Sequence, residues 1–216
     1  MKVTYYLEIM SSWCFWVEPV WAELKSRYAG RVEFEWRIAL MRDEDYPVSR
    51  EQCDWFYRRS GMIMKSPVML NSGWFEKGVR FDGADLVAEA CRDFGFTDDR
   101  IRLALSHASE LEGVKIGRID VAAGIAAKAS GVAAKKLLAR AKSAAVRARV
   151  DASTAEFFSH RIDQRPAFIL TDSIGDKAVF SGLVRIEPIA ATIDAMLSDT
   201  AAYAAHAAHF GSPPKA

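Results

Sequence analysis

The sequence predicts an α/β fold in which a βαβ unit and a ββα unit enclose a long helical segment. Three observations support this prediction: strand-like alternation of apolar residues at 2–9 and 31–40, helical periodicity over about 82–160, and renewed alternation at 166–183. With 216 residues, 50% of them apolar, the chain can bury the core of one large domain or of a small domain with an insertion.

The first forty residues predict two strands joined by a helix. Residues 2–9 are rich in β-branched and aromatic side chains, and residues 12–28 are amphipathic, with a stop near Gly30. In the second strand, RVEFEWRIAL, apolar residues alternate with charged ones. A β-α-β unit as short as this predicts parallel strands joined by a right-handed crossover.

The middle of the chain predicts a helical insertion. Residues 41–80 are loosely patterned with one short helix near 49–61, whereas 82–160 are patterned as almost continuous helices. Val, Ile and Leu recur at three- and four-residue spacing through the Ala-rich part, which favours packed helices over disorder. The predicted helix N-caps are Asp82, Thr97 and Asp120, and the predicted helix stops are Gly95, Gly113 and Gly131.

The end of the chain predicts a hairpin followed by a closing helix. Residues 166–183 form two strand-like runs around the turn SIGD, IEPIAATIDAMLSD predicts a helix, and the tail to 216 is expected to fray. The predicted division is a domain made of 1–40 and 163–198, a mostly helical insertion at 41–162, and a tail at 199–216.

Composition argues against several classes of partner. Lys and Arg number 29 against 28 Asp and Glu, with no basic block, so we expect no nucleic-acid partner. No apolar run approaches the roughly 20 residues that span a bilayer, so we expect no membrane partner. A targeting segment is missing, and Cys14, Cys53 and Cys91 have neither disulfide-scaffold nor metal-ligand spacing. We therefore expect a cytoplasmic protein with free thiols and no metal site.

The stretch MSSWCFWVEP, at residues 10–19, is the strongest candidate for chemistry. It joins the first strand to the first helix, so Ser11 and Cys14 fall at a helix N-terminus, where the macrodipole and free N–H groups favour negative charge. A thiolate is stabilised at such a place, and a serine hydroxyl can donate a hydrogen bond to an incoming thiolate. The alternatives are a simple N-cap role for Ser11 and a core-packing role for Cys14.

Three motifs resemble those of the DsbA-like group, which includes the FrnE-type disulfide isomerases, the 2-hydroxychromene-2-carboxylate isomerases and the kappa-class glutathione transferases. SSWC stands where the FrnE type has CPWC, Pro19 stands where the first helix is commonly kinked, and DQRPAFIL stands where the family has its cis-proline loop. The resemblance implies a thioredoxin-like α/β fold (βαβ…ββα) with a large all-helical insertion.

The same resemblance implies roles for individual residues. Ser11 takes the nucleophile or thiol-activating position, and Cys14 takes the second, resolving position, so both are candidate catalytic residues. Pro166 is expected to be cis and to face the site, and Arg165 is expected to place a positive charge beside the sulfur.

The distribution of large apolar residues favours an apolar or aromatic small-molecule substrate. All six tryptophans lie between residues 13 and 74, and six of the seven methionines lie between 1 and 69. An aromatic, Met-lined cleft near the site would bind such a compound, whereas an aromatic-rich core is the alternative. The candidate substrate-binding residues are Trp13, Trp16, Trp74, Arg165 and Pro166.

The implied function is thiol chemistry other than dithiol oxidation, because that cycle needs two sulfurs and Ser11 replaces the first. We expect monothiol exchange, or a thiol-assisted isomerase or transferase reaction, on a small and aromatic substrate. The alternative is a non-catalytic protein that binds a small molecule or a peptide on the same fold. A slowly alkylated Cys14 with a pKa near or above the usual value of about 8.5 would favour that alternative.

We expect no tightly bound cofactor. Glutathione stays open as a thiol partner, although kappa-type enzymes hold its γ-glutamyl end with a Ser-Asp pair and this sequence has Leu183 and Val184 at that place. An apolar pair cannot replace a carboxylate that binds an ammonium group, which argues against the usual mode of binding. The sequence leaves open whether the chain forms a homodimer.

Overall fold

The computed structural model describes residues 1–211, and the fold begins with the predicted βαβ unit. Strand β1 (Lys2–Leu7) is followed by helix α1 (Ser12–Arg27) and strand β2 (Glu33–Ile38). The helices that follow are α2 (Arg50–Met64), α3 (Gly83–Cys91), α4 (Arg100–Glu110), α5 (Ile119–Ser130), α6 (Ala134–Ala141) and α7 (Ala144–Ser159). The chain then forms β3 (Ala167–Thr171), β4 (Lys177–Ser181) and α8 (Ile186–Phe210), and short 3-10 turns lie at Asp43–Asp45, Ser72–Trp74 and Arg92–Phe94.

The four strands form one sheet in the order β2-β1-β3-β4. β1 runs parallel to β2, with Tyr5 opposite Trp36, and antiparallel to β3, with Tyr6 opposite Ala167. β3 and β4 pair as an antiparallel hairpin around the predicted turn. The βαβ…ββα order with its helical insertion is that of the predicted thioredoxin-like α/β fold, so the predicted fold class is confirmed.

Helix α1 packs on the sheet through a single stripe of residues. Cys14, Val17, Trp21 and Leu24 are buried, and their three- and four-residue spacing places them on one face of the helix. The Trp21 ring lies 5.1 Å from the Tyr5 ring of β1. This packing fixes the direction in which the N-terminus of α1 points from the end of β1.

An ion cluster joins α1 to the helical insertion. Arg102 of α4, whose side chain is 2% exposed, contacts Glu18 of α1 and Asp99 at the start of α4. Lys25 and the Trp21 indole also contact Asp99. The buried guanidinium is therefore paired on two sides, as a buried charge must be.

The helical insertion packs closely at the start of α3, where a Cβ added at Gly83 would lie 2.3 Å from the carbonyl oxygen of Gly117. Asp82 is the N-cap residue of α3, as predicted, and Gly131 ends α5 in the left-handed conformation. The predicted caps Thr97 and Asp120 are wrong, because α4 begins after Asp99 and α5 after Arg118.

The last helix is longer than the pattern predicts. α8 does not end near residue 199 but continues to Phe210, and residues 201–210 are all exposed. The remainder of the predicted fraying tail, 212–216, lies outside the described residues. Within residues 1–211, no helix has the length and apolar content needed to cross a membrane.

Candidate functional site

Ser11 caps the N-terminus of α1. Its backbone is extended, and its hydroxyl oxygen accepts a hydrogen bond from the Cys14 N–H at 3.4 Å. The side chain is mostly buried and lies in the wall of a pocket. The cap role is therefore real. The hydroxyl hydrogen can rotate, so it can point either to the Cys14 sulfur, whose pKa this hydroxyl acts to lower, or to a ligand in the pocket.

Cys14 lies one turn inside α1 and is 3% exposed. Burial raises the pKa of its thiol to about 12, although the Glu8 backbone and the Ser11 hydroxyl both act to lower it. An ordinary thiol has a pKa of about 8.5, and a reactive one a lower value. Cys14 is therefore protonated at neutral pH and does not line the pocket next to Ser11.

The loop before β3 lies next to the end of β1. The Arg165–Pro166 peptide bond is cis, and Pro166 is buried. Because Tyr6 pairs with Ala167, one further step along the ladder places Pro166 beside Leu7, four residues before Ser11. The sheet register thus brings the two predicted motifs to the same end of β1.

Arg165 is directed into the protein interior. Its guanidinium donates hydrogen bonds to the backbone carbonyls of Ala39, Leu40 and Asp163, and it stacks 4.5 Å from the Phe157 ring. Burial lowers its pKa, although the charge of the nearby Glu8 acts to raise it. Two of its donors, to Ala39 and Leu40, tie the segment after β2 to the loop before β3.

The pocket beside Ser11 has a volume of about 140 Å³. It lies between the N-terminus of α1, the segment after β2, and helix α2. Aromatic and sulfur-containing side chains provide most of its wall, with one acid and one base at Asp45 and Arg59. The lining residues are Met10, Ser11, Ser12, Trp13, Met41, Asp45, Tyr46, Pro47, Cys53, Phe56, Tyr57, Arg59 and Trp74.

The predicted tryptophans are divided between the pocket and its surroundings. Trp13 and Trp74 line the pocket, and the Trp74 indole donates to the Tyr57 hydroxyl. Trp16 is not a lining residue and instead donates to the Ser60 hydroxyl at 3.0 Å. The predicted Met-rich wall is only partly present, because Met10 and Met41 line the pocket whereas Met62 is 79% exposed on the outside of α2.

Three buried acidic residues lie near the site and were missed by the sequence analysis. Glu8, at the end of β1, and Asp85, on α3, are both fully buried and lie within hydrogen-bonding reach of each other. Glu8 accepts a hydrogen bond from the Tyr46 hydroxyl at 3.0 Å and another from the Met10 N–H at 3.1 Å. Asp85 accepts from the Ile9 N–H at 3.3 Å.

Glu110 is the third buried acid, at the end of α4 beside Tyr57. Burial raises its pKa well above the usual value, although the neighbouring Tyr57 hydroxyl acts to lower it. Cys53, which lines the pocket, is nearly fully buried, and burial raises the pKa of its thiol to about 12 as well. Like Cys14, it is protonated at neutral pH.

The place expected to hold the γ-glutamyl end of glutathione is apolar. Leu183 and Val184 follow β4, are half-buried, and pack against the hydrophobic core. They provide no acceptor for an ammonium group. The side chains present do not fit the usual mode of glutathione binding. Within residues 1–211, no three His, Cys, Asp or Glu side chains converge closely enough to hold a metal ion.

Comparison with solved structures gives the fold. The chain resembles a provisionally assigned protein disulfide isomerase from Nitrosomonas europaea with a TM-score of 0.74 and 14% identity, over 92% of this chain and 98% of that one. It resembles the cytosolic disulfide reductase DsbM from Pseudomonas aeruginosa with a TM-score of 0.68 and 18% identity, over 92% and 99% of the two chains.

A third similar structure is a 2-hydroxychromene-2-carboxylate isomerase, with a TM-score of 0.62 and 13% identity, over 94% of this chain and 99% of that one. The chain matches no known protein-family model and no curated protein sequence. The structural likenesses extend over nearly the whole length of each chain, so the chain has the DsbA-like thioredoxin fold.

Proposed function

We propose that this protein binds a small thiol compound as its thiolate at the N-terminus of α1 and uses it in an isomerase or transferase reaction on a small apolar or aromatic substrate. One observation carries the proposal: the Ser11 hydroxyl lies in the pocket wall at the helix N-terminus, while the Cys14 thiol is buried behind it with a raised pKa. The Ser11 hydroxyl can therefore contact a ligand in the pocket, whereas the Cys14 sulfur cannot.

The roles of the side chains follow from their positions. The free N–H groups of the first turn and the Ser11 O–H stabilise a sulfur anion in the pocket. Trp13, Phe56 and Trp74 bind the apolar part of a substrate, and Arg59 at the rim offers a charge for an anionic substituent. Cys14 fixes the start of the helix from inside, so it supports the site without reacting.

The similar solved structures support a thiol compound as the class of ligand. DsbM was also solved with glutathione, at a TM-score of 0.67 to this chain. The apolar pair Leu183–Val184 disfavours glutathione itself in its usual mode, and so the proposal is restricted to small thiols that lack a γ-glutamyl group.

The experiment follows the ionisation of thiophenol in the pocket by the ultraviolet absorbance of its thiolate. We expect the natural protein to lower the apparent pKa of the bound thiol by more than one unit. Ser11→Ala should remove most of this shift and cost only about 0.5–2 kcal/mol of stability, whereas Ser11→Thr should retain it because the hydroxyl is kept. Equal shifts in the natural protein and in Ser11→Ala would contradict the assignment of Ser11.

A second candidate function is non-catalytic binding, and the buried Cys14 thiol with its pKa of about 12 favours it. In that case the pocket would bind aromatic compounds with or without a thiol group, and Ser11→Ala would bind them equally well. Affinities of thiophenol and phenol measured side by side separate the two functions, because only thiolate binding at Ser11 discriminates between these ligands at neutral pH.

A further inference from the structure

Behind the pocket, one tyrosine connects the cavity to a pair of buried carboxyl groups. Tyr46 lines the pocket, and its hydroxyl donates to Glu8 Oε1 at 3.0 Å. The Glu8 carboxyl group faces that of Asp85, and both residues are 0% exposed. Asp85 Oδ2 has no other hydrogen-bond partner among residues 1–211. Glu8 directly follows β1, Tyr46 lies in the segment after β2, and Asp85 lies on α3, so tertiary packing brings the three side chains together.

We propose that Tyr46, Glu8 and Asp85 form a proton relay that takes up the proton of a thiol as the thiol binds at Ser11. This inference rests on the proposed function, because it needs a thiol in the pocket. It adds three residues to the site, of which only Tyr46 contacts the ligand, while Glu8 and Asp85 act through it.

The carboxyl pair is suited to this role because it holds one proton and can accept a second. Two acids in contact and away from water cannot both be ionised, so one proton is shared between them. Burial raises the pKa of Asp85, and the neighbouring charge of Glu8 raises it further. Burial also raises the pKa of Glu8, while its bonds to Asp85, Tyr46 and Met10 act to lower it. Glu8 accepts two hydrogen bonds, from the Tyr46 hydroxyl and the Met10 N–H, whereas Asp85 accepts one, from the Ile9 N–H, so the geometry favours the charge on Glu8 and the shared proton on Asp85.

The transfer conserves charge within the site. The thiol proton passes to the Tyr46 oxygen, and the proton that Tyr46 already donates passes to Glu8 Oε1. The sulfur then carries the negative charge that Glu8 carried before, and both carboxyl groups are neutral. The reverse transfer returns the proton when the thiol leaves. Because no net charge enters the buried site, the thiolate binds without the cost of adding an anion beside a carboxylate.

The other charged and titratable groups near the pair come from four directions. Arg165, before β3, favours the charge on Glu8, while Asp82, at the start of α3, disfavours charge on Asp85. Cys14, on α1, is protonated, and burial raises the pKa of Glu110, on α4, well above its usual value. None of these groups accepts a hydrogen bond from the Tyr46 hydroxyl. A proton that leaves this hydroxyl therefore passes to Glu8, which accepts its hydrogen bond.

The test measures how many protons reach the solvent when phenylmethanethiol binds, because this alkyl thiol, unlike thiophenol, is protonated in neutral water and brings its proton to the site. Titration calorimetry in two buffers with different ionisation enthalpies gives this number directly. The natural protein should release almost no protons at neutral pH, because the pair retains the proton. Tyr46→Phe should release close to one proton for each thiolate bound, and Tyr28→Phe, which removes a buried hydroxyl bonded to the Ala190 carbonyl, is the matched control that should retain it.

Glu8→Gln is a second variant of similar shape that cannot take up the proton, and it should also release close to one proton. Release of one proton by the natural protein would overturn the relay, as would retention by both variants. The ultraviolet signal of the thiolate is recorded in parallel. If the natural protein binds phenylmethanethiol without a thiolate signal, the proposed function fails; if the signal is present and a proton is released, only the relay fails.

Discussion

Replacing Ser11 by cysteine should give this protein a disulfide reductase activity that we expect the natural protein to lack. The introduced thiol would stand at the N-cap of α1, where a cysteine pKa falls from about 8.5 to between roughly 3.5 and 7.5. At pH 7 even the upper value gives about 24% thiolate, against about 3% for an unperturbed thiol. The attacking sulfur of Ser11→Cys is therefore at least about eight times more ionised than an ordinary cysteine.

The second half of the cycle should limit the rate. Cys14 must resolve the mixed disulfide, and burial raises the pKa of its thiol to about 12. At pH 7 only about one molecule in 10⁵ has this thiolate, because the pKa lies about five units above the pH. We therefore expect the reductase rate of Ser11→Cys to rise close to tenfold for each pH unit between 7 and 9.

The assay is insulin reduction by dithiothreitol, with the natural protein and the double variant Ser11→Cys/Cys14→Ser as controls. In a single turnover of insulin with the pre-reduced proteins and no free dithiothreitol, the double variant should stop at the mixed disulfide, which mass spectrometry detects. A natural protein as active as Ser11→Cys would refute the reasoning, because Cys14 alone would then perform the redox chemistry. A rate of Ser11→Cys that does not change with pH would refute the limiting role of Cys14.

Three further predictions concern stability. Arg102→Met should lower the free energy of unfolding by about 3 kcal/mol, measured by urea titration, because it leaves two acidic partners without their buried cation; a loss below about 1 kcal/mol would contradict this. Gly83→Ala should cost about 1–3 kcal/mol in the same titration, since its Cβ meets the carbonyl of Gly117, and unchanged stability would show that α3 can shift. Burial raises the pKa of Asp99, but ion pairs with Arg102 and Lys25 outweigh it and hold this pKa below its usual value. The stability that Asp99 contributes is thus present above about pH 4 and lost as the pH falls through its folded pKa, so Asp99→Asn should flatten the acid limb of a stability-against-pH curve.

Sequence reasoning located the parts of the site that depend on local chain geometry. The SSWC stretch stands between a strand pattern and a helix pattern, so the N-cap position of Ser11 could be inferred from neighbouring residues alone. The loop at Pro166 was located in the same way, because a proline directly before a strand is a local signal. The α/β class followed from the same periodicities, whereas the thioredoxin-like assignment and the cis bond at Pro166 followed from the resemblance of SSWC, Pro19 and DQRPAFIL to family motifs.

The residues that sequence reasoning missed are those brought together by tertiary packing. Glu8 ends a strand, where an acid is ordinarily solvent-exposed, and only the packing of α3 places Asp85 against it. Apolar periodicity shows that Trp16 and Met62 lie on helices, but not that both point away from the pocket. The end of α8 was missed because its last ten residues pack on nothing in the described chain and therefore carry no amphipathic pattern.

The place of β1 within the sheet has a consequence for the order in which the protein can form during synthesis. β1 leaves the ribosome well before its neighbour β3, which begins at residue 167. Until that strand emerges, β1 and β2 form a two-stranded ribbon whose open edge exposes unpaired backbone groups, while α3 to α7 can already pack through local contacts. A chain released before residue 167 would therefore hold a finished helical insertion and an unfinished sheet, and it should aggregate through the free edge of β1.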